Sequence, residues 1–188
     1  VTSSVDSALE YRYSGDWNRC WMEPGPNSGD LINAAINSVL NGADGIAIVL
    51  NTSNGGGCRR GSQLAVTLAS SANTFAHEFG HLFGGLGDEY QCTQGSNGCG
   101  SYTGSEPGAV NLTTVTNRNN VKWKRWIPSW RPVPTAQANT ASNSQDAGIF
   151  PGAVTSLTRY WNGIFRPSWR GRMNTDTSVV HNPIGYTR

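Results

Sequence analysis

Two histidines four residues apart, with a glutamate directly after the first, constrain this chain more than any other feature. The stretch is His77-Glu78-Phe79-Gly80-His81. On a helix, side chains at that spacing lie on one face about one turn apart, so both rings can reach one point. The spacing therefore predicts a helix that starts near Ser70–Ser71, where either hydroxyl can cap it, and runs to about Gly84. The chain has three histidines, and two of them fall in this pattern. Phe75, Phe79, Leu82 and Phe83 flank it, which predicts a buried helix rather than one laid on the surface.

Two imidazoles so placed suit a Zn²⁺ ion held at about 2.0–2.1 Å. Glu78 would then project beside the metal as general base, taking a proton from a zinc-bound water and passing it to a leaving amine. A catalytic zinc usually has three protein ligands and keeps one position open for water. After the helix comes Gly84-Gly85-Leu86-Gly87-Asp88-Glu89-Tyr90, where three glycines permit a sharp turn. A side chain just beyond that turn can swing back under the metal. Asp88 is the expected third ligand, with Glu89 a close rival and His181 a distant one. Stabilising the transition state needs a donor aimed at the developing oxyanion. His181, Tyr160, Tyr186 and Arg172 are candidates, with His181 slightly favoured.

The rest of the first half alternates in type. Val5–Tyr13 predicts a first strand, and 21–29, rich in proline and glycine, a loop. From Asp30, the positions Leu31, Ile32, Ala35, Ile36 and Leu40 recur at helical spacing until Asn41-Gly42. Gly45–Leu50 is an apolar run without alternation, which predicts a central strand covered on both faces. Asn51–Gly57 reads as a glycine-rich loop and Leu64–Leu68 as another strand. The order suggests an α/β (α+β) fold, a sheet with helices packed on it. The second half holds most of the tryptophan, proline and asparagine and predicts an irregular C-terminal lobe, with 132–148 a long surface loop. The 188 residues fit a single catalytic domain, with an upper lobe over about 1–86 and a lower lobe over about 87–188.

Charged residues are only 14% of the chain and the net charge is +2, so the basic stripe of a nucleic-acid binder is absent. No apolar run is long enough to span a bilayer. The opening Val1-Thr2-Ser3-Ser4 lacks the features of a signal peptide, so a secreted chain would be the processed form. Four cysteines, Cys20, Cys58, Cys92 and Cys99, include no Cys-x-x-Cys pair. Two disulfides in an extracellular protein are expected. Of the three possible connectivities, a local Cys92–Cys99 bridge across a turn-forming segment, leaving Cys20–Cys58, is the first expectation. Trp123, Trp126, Trp130, Trp161 and Trp169 crowd the second half, where lobe packing is expected over a glycan- or proline-binding platform.

The motif with its flanks, His77-Glu-Phe-Gly-His81-Leu-Phe-Gly84, resembles the metzincin clan of zinc peptidases. In that pattern the third ligand would fall at Gly87, which has no side chain to offer; here the acid comes one residue later. The continuation Gly84-Gly85-Leu86-Gly87-Asp88-Glu89-Tyr90 more closely resembles the bacterial metal-dependent IgA-peptidase family. Asp44–Asn51 with Gly55-Gly56-Gly57, Asn111-Leu112-Thr113, Lys122-Trp123-Lys124 and Gly163–Asn174 resemble further stretches of it. The resemblance implies a metzincin-like fold, a mixed twisted sheet with an active-site helix and a backing helix, together with Asp88 as third ligand, Met173 in a methionine turn beneath the zinc, and endopeptidase activity. The chain is short and has no obvious accessory binding domain, so immunoglobulin specificity is not expected to carry over. The combined expectation is a secreted zinc-dependent endopeptidase acting on protein or peptide substrates. It needs no nucleic acid and no membrane insertion, and its oligomeric state is open. The alternatives are a non-catalytic zinc-containing module that binds glycans or proteins, and a hydrolase of amides outside proteins.

Overall fold

A computed structural model describes residues 8–13, 22–39, 43–70, 72–136 and 146–174. The chain forms two compact units, Val1–Phe83 and Gly84–Arg188. No described helix is long and apolar enough to cross a membrane.

In the first unit, β1 (Tyr11–Tyr13) pairs antiparallel with β2 (Met22–Pro24). The expected first strand thus keeps only its last three residues among those described, and the expected 21–29 loop contributes a strand. Pro24 is tolerated there because it ends a short strand, where a missing N–H donor costs little. The Glu10 carboxylate accepts hydrogen bonds from the Asn27 backbone N–H and side-chain amide, which ties the approach to α1 (Ser28–Val39). Helix α1 begins two residues before Asp30. Tyr11, Met22, Ile32, Ile48, Leu50 and Ala65 form this unit's core.

Three further strands make a mixed sheet in the order β3 (Ile46–Leu50), β5 (Gln63–Thr67), β4 (Gly57–Arg60). β3 runs parallel to β5, and β4 antiparallel to it. The sequence predicts that β3 is covered on both faces; instead its burial alternates, and Val49 is 56% exposed. Continuous burial belongs to β5, where Leu64, Ala65, Val66 and Thr67 are all buried. The reason is position: β5 lies between two partners and β3 at an edge of the described strands, which an apolar run alone does not reveal. β4 also falls partly inside the expected glycine loop. The second helix, α2 (Ala72–Gly84), follows β5 as predicted.

In the second unit, β6 (Gly100–Ser101), β8 (Thr158–Arg166) and β7 (Phe150–Thr155) form a sheet in that order, with β7 and β8 antiparallel. This hairpin corrects the expectation of an irregular lobe. It escapes sequence reading because its turn uses Ser156 and Leu157, both at positive φ (49° and 64°), where glycine or asparagine is usual. A register shift between Pro151 and Ala153 also breaks the alternation. Val121, Trp123, Ile127, Ala147, Ile149 and Phe165 form the core, with the Trp123 indole N–H donating to Gly148 O at 2.6 Å. Packing therefore explains Trp123. Trp130, in contrast, is 68% exposed and carries the Arg131 guanidinium on its ring.

Elsewhere this unit relies on side chains that hold the backbone. Lys122 Nζ donates to the carbonyls of Pro107, Ala109 and Leu112 and pairs with Glu106 at 3.1 Å. Cys92 and Cys99 are bridged, as expected. Cys58 is also disulfide-bonded, while its expected partner Cys20 lies outside the described residues. Of the expected loop 132–148, residues 137–145 lie outside as well; its near end is anchored by Thr135 N–H donating to Ile149 O at 2.8 Å.

Candidate metal centre

Helix α2 brings His77, Glu78 and His81 together as their spacing predicts. His77 and Glu78 are buried and His81 is half-buried. The two Nε2 atoms lie 3.1 Å apart, with the rings nearly perpendicular at 89°. That separation allows a hydrogen bond in one tautomer. It also lies close to the ~3.3 Å expected between two nitrogens bound at 2.0–2.1 Å to a tetrahedral ion. The histidine pair therefore fits a zinc-sized cation as a two-nitrogen donor set.

Glu78 is held against the sheet. A Cβ added at Gly57 would stand 3.2 Å from Glu78 Cγ, 3.1 Å from Thr74 Cγ2 and 3.1 Å from Val66 Cγ1. The bare backbone of β4 thus lets α2 lie close and confines the Glu78 stem. The opposite face of α2 departs from expectation. Phe75, Phe79 and Phe83 stack in a ladder, with ring centroids 6.3 and 5.3 Å apart, and are exposed, Phe83 by 60%. The helix is thus buried only along its histidine and glutamate side. An apolar flank cannot distinguish a second buried face from an exposed stripe.

In the second unit, Gly85 adopts φ +61°, the left-handed conformation that ends a helix. The chain then runs through Asp88 and Glu89. Asp88 is half-buried and its backbone carbonyl accepts from the Val154 N–H at 3.1 Å. Glu89 is 0% exposed. Its Oε1 accepts from Asn111 Nδ2 at 2.8 Å, and Ser168 Oγ is 3.5 Å from its Oε2. Its N–H donates to Met173 O at 2.7 Å, so the Met173 turn is bonded to the segment that carries both candidate acids. Met173 itself is buried.

Arg166 is buried next to this acid. Burial lowers its pKa to about 10 while the Glu89 carboxylate works in the opposite direction, so the guanidinium remains charged at neutral pH. It donates to the carbonyls of Pro151, Gly152 and Ser168 and to Gln91 Oε1, and it stacks on Trp169. Tyr160, an expected oxyanion donor, lies in β8 with its ring edge against Tyr102, packed beside Leu112, Ala153 and Ile164. Arg172 is half-buried in the Met173 turn. His181 and Tyr186 lie outside the described residues.

Sequence reading missed Asn111, Arg166 and Lys122 as organisers of this region. The faint signal was Asn111-Leu-Thr, which reads as a glycosylation sequon or a family fragment. Its side chain is in fact buried, with both amide atoms engaged.

Comparison with known proteins gives a consistent result. The family model described as IgA Peptidase M64 matches residues 31–151, more than half of the chain. The match includes α2, Asp88, Glu89 and Asn111, and ends before the Met173 turn. No curated protein matches the chain.

Proposed function

The chain belongs to the IgA peptidase M64 family, and from this we propose that it is a secreted, zinc-dependent endopeptidase. His77, His81 and Asp88 hold the ion, and Glu78 is the general base. Family membership makes it a peptidase that acts on protein or peptide; the metal, the base and the type of cleavage are our reading. The observation that carries it is the 3.1 Å approach of the two Nε2 atoms on α2, with Glu78 buried between them in sequence. A structural zinc site would need no glutamate at that position.

When bound, zinc polarises the scissile carbonyl and lowers the pKa of a water to about 7. Glu78 receives the proton of the attacking water and delivers it to the departing amine. Its confinement against Gly57 limits the positions its carboxylate can take. β4 supports an endopeptidase reading. It is an edge strand among those described, so an extended peptide that adds to its edge passes close to Glu78 without needing a free terminus. Met173 is proposed as the floor of the site. Tyr160 and His181 remain the proposed oxyanion donors. Two disulfides favour an oxidising compartment, which supports secretion.

The test combines metal analysis with peptide cleavage by native protein and Glu78→Ala. The native protein should contain zinc and cleave a peptide library internally, and chelation should stop it. The variant should retain zinc and lose about 10²–10⁴ in turnover. Equal cleavage by a zinc-loaded variant would reject the mechanism. Zinc binding without cleavage of any peptide would favour the binding-module alternative.

A further inference from the structure

We infer that Asn111 is a positioning residue for Asp88, and that Glu89 helps to orient the Asn111 amide instead of binding metal. The inference rests on the proposed role of Asp88 as third ligand. It is carried by three hydrogen bonds from one fully buried side chain. Asn111 Oδ1 accepts from the Gly87 N–H at 2.7 Å, and Nδ2 donates to Gly87 O at 2.9 Å and to Glu89 Oε1 at 2.8 Å. A primary amide offers two N–H donors and one acceptor oxygen. Here both ends are engaged, and they grip the residues on either side of Asp88.

Two more bonds complete the fixation. The Val154 N–H donates to Asp88 O at 3.1 Å, and the Glu89 N–H to Met173 O at 2.7 Å. The backbone from 87 to 89 is thus bonded at each residue, leaving Asp88 chiefly its own side-chain torsions. A metal ligand needs this kind of support, because its oxygen must be placed within about 0.5 Å.

Glu89 adds to the direction of the grip. An asparagine amide can flip by half a turn at little cost in shape. Gly87 O and Glu89 Oε1 both accept from Nδ2, which leaves Oδ1 facing the Gly87 N–H, and a flipped amide would lose all three bonds. Gly87 completes the fit. A Cβ at that position would stand 2.5 Å from Leu112 Cδ1 and 3.1 Å from Ala109 Cβ, so the absence of a side chain lets the 109–112 segment close onto it. The one-residue displacement of the acid relative to the metzincin pattern then has a physical cause. Position 87 is given over to the clamp, and the next residue carries the ligand.

Zinc affinity measured by competition with a chromogenic chelator tests this, using full-length native protein and the variants Asp88→Ala, Asn111→Ala, Glu89→Gln and Thr135→Ala. Melting of each metal-free protein is recorded alongside. Asn111→Ala should weaken zinc binding by about 10–100-fold, the usual effect of losing a residue that orients a ligand. Glu89→Gln should weaken it less than Asn111→Ala. Thr135→Ala removes another side chain bonded to backbone, whose hydroxyl accepts from the Ile149 N–H, and should leave zinc affinity unchanged. If Asn111→Ala does not fold, Asn111→Ser keeps a polar group but is too short to span both bonds, and the same loss is expected. Native affinity in the Asn111 variant, with Asp88→Ala impaired, overturns the positioning role and leaves the ligand intact. A loss in Glu89→Gln as large as in Asp88→Ala makes Glu89 a ligand and also overturns it. Native affinity in Asp88→Ala removes the underlying ligand assignment itself.

Discussion

Glu78 and Glu89 are both buried acids in different settings. Glu78 has an aliphatic stem pressed on Gly57 and sits between two histidines in the sequence, where the proposed base would stand. Glu89 accepts from Asn111 and lies beside a buried guanidinium. A third acid, Glu106, shows how such fixation is read by pH. Burial raises its pKa, but this is outweighed by hydrogen bonds from the Thr114 N–H, the Thr113 and Thr114 hydroxyls and Lys122. The net result is a fall from 4.5 to about 2. A carboxyl depressed in the folded state adds stability above its unfolded pKa and loses it as pH falls through the folded one. Melting of the native protein should therefore fall between about pH 4.5 and pH 2. Glu106→Gln should show a lower melting point at neutral pH and a flatter acid limb. An unchanged acid limb in the variant would contradict the assignment.

At the level of elements, α2 is useful because it is pressed onto a strand that has no side chain at the point of contact. Gly57→Ala would place a Cβ 3.1–3.2 Å from Thr74, Val66 and Glu78, so each must give way slightly. Overpacking of this kind costs about 1–3 kcal/mol, readable as an earlier urea midpoint. Because Glu78 is among the displaced groups, turnover should fall more than stability alone explains. The Cys92–Cys99 bridge closes a short loop with a sequence separation of 7. Replacing both cysteines with serine should cost about 2 kcal/mol by the loop-entropy estimate. Zinc content should not change, since neither cysteine is a proposed ligand. The elements that the sequence revealed share one property. α1 and α2 are encoded by spacings within a dozen residues. The β7–β8 hairpin was hidden because its turn places serine and leucine where glycine is usual, and because a bulge interrupts its pattern.

For the whole chain, zinc binding should appear as stability. At about 100 times its dissociation constant, a ligand that binds only the folded state adds ~2.7 kcal/mol. For a protein of this size that corresponds to a melting shift of roughly 5–10 °C. Chelation should reverse the shift and abolish cleavage, and added zinc should restore both. A melting point indifferent to chelator would argue against a resident ion. The same scale explains which parts of the candidate site could be read in advance. His77, Glu78 and His81 form a local pattern, and Asp88 follows it closely enough to be nominated. Asn111 lies more than twenty residues from the groups it holds, and Arg166 reaches Gln91 across 75 positions. Such partners carry no spacing in the sequence and meet only through folding. The exposed phenylalanine ladder on α2 carries the same lesson: periodicity reveals an apolar face but not what covers it.

Leu112 governs a position that it does not occupy. A Cβ at 87 would stand 2.5 Å from Leu112 Cδ1 and 3.1 Å from Ala109 Cβ, so any side chain there must first displace a packed leucine. Shortening Leu112 alone leaves a hole instead. The two positions therefore tolerate change together more easily than apart, and what residue 87 can carry is decided by a residue far along the chain.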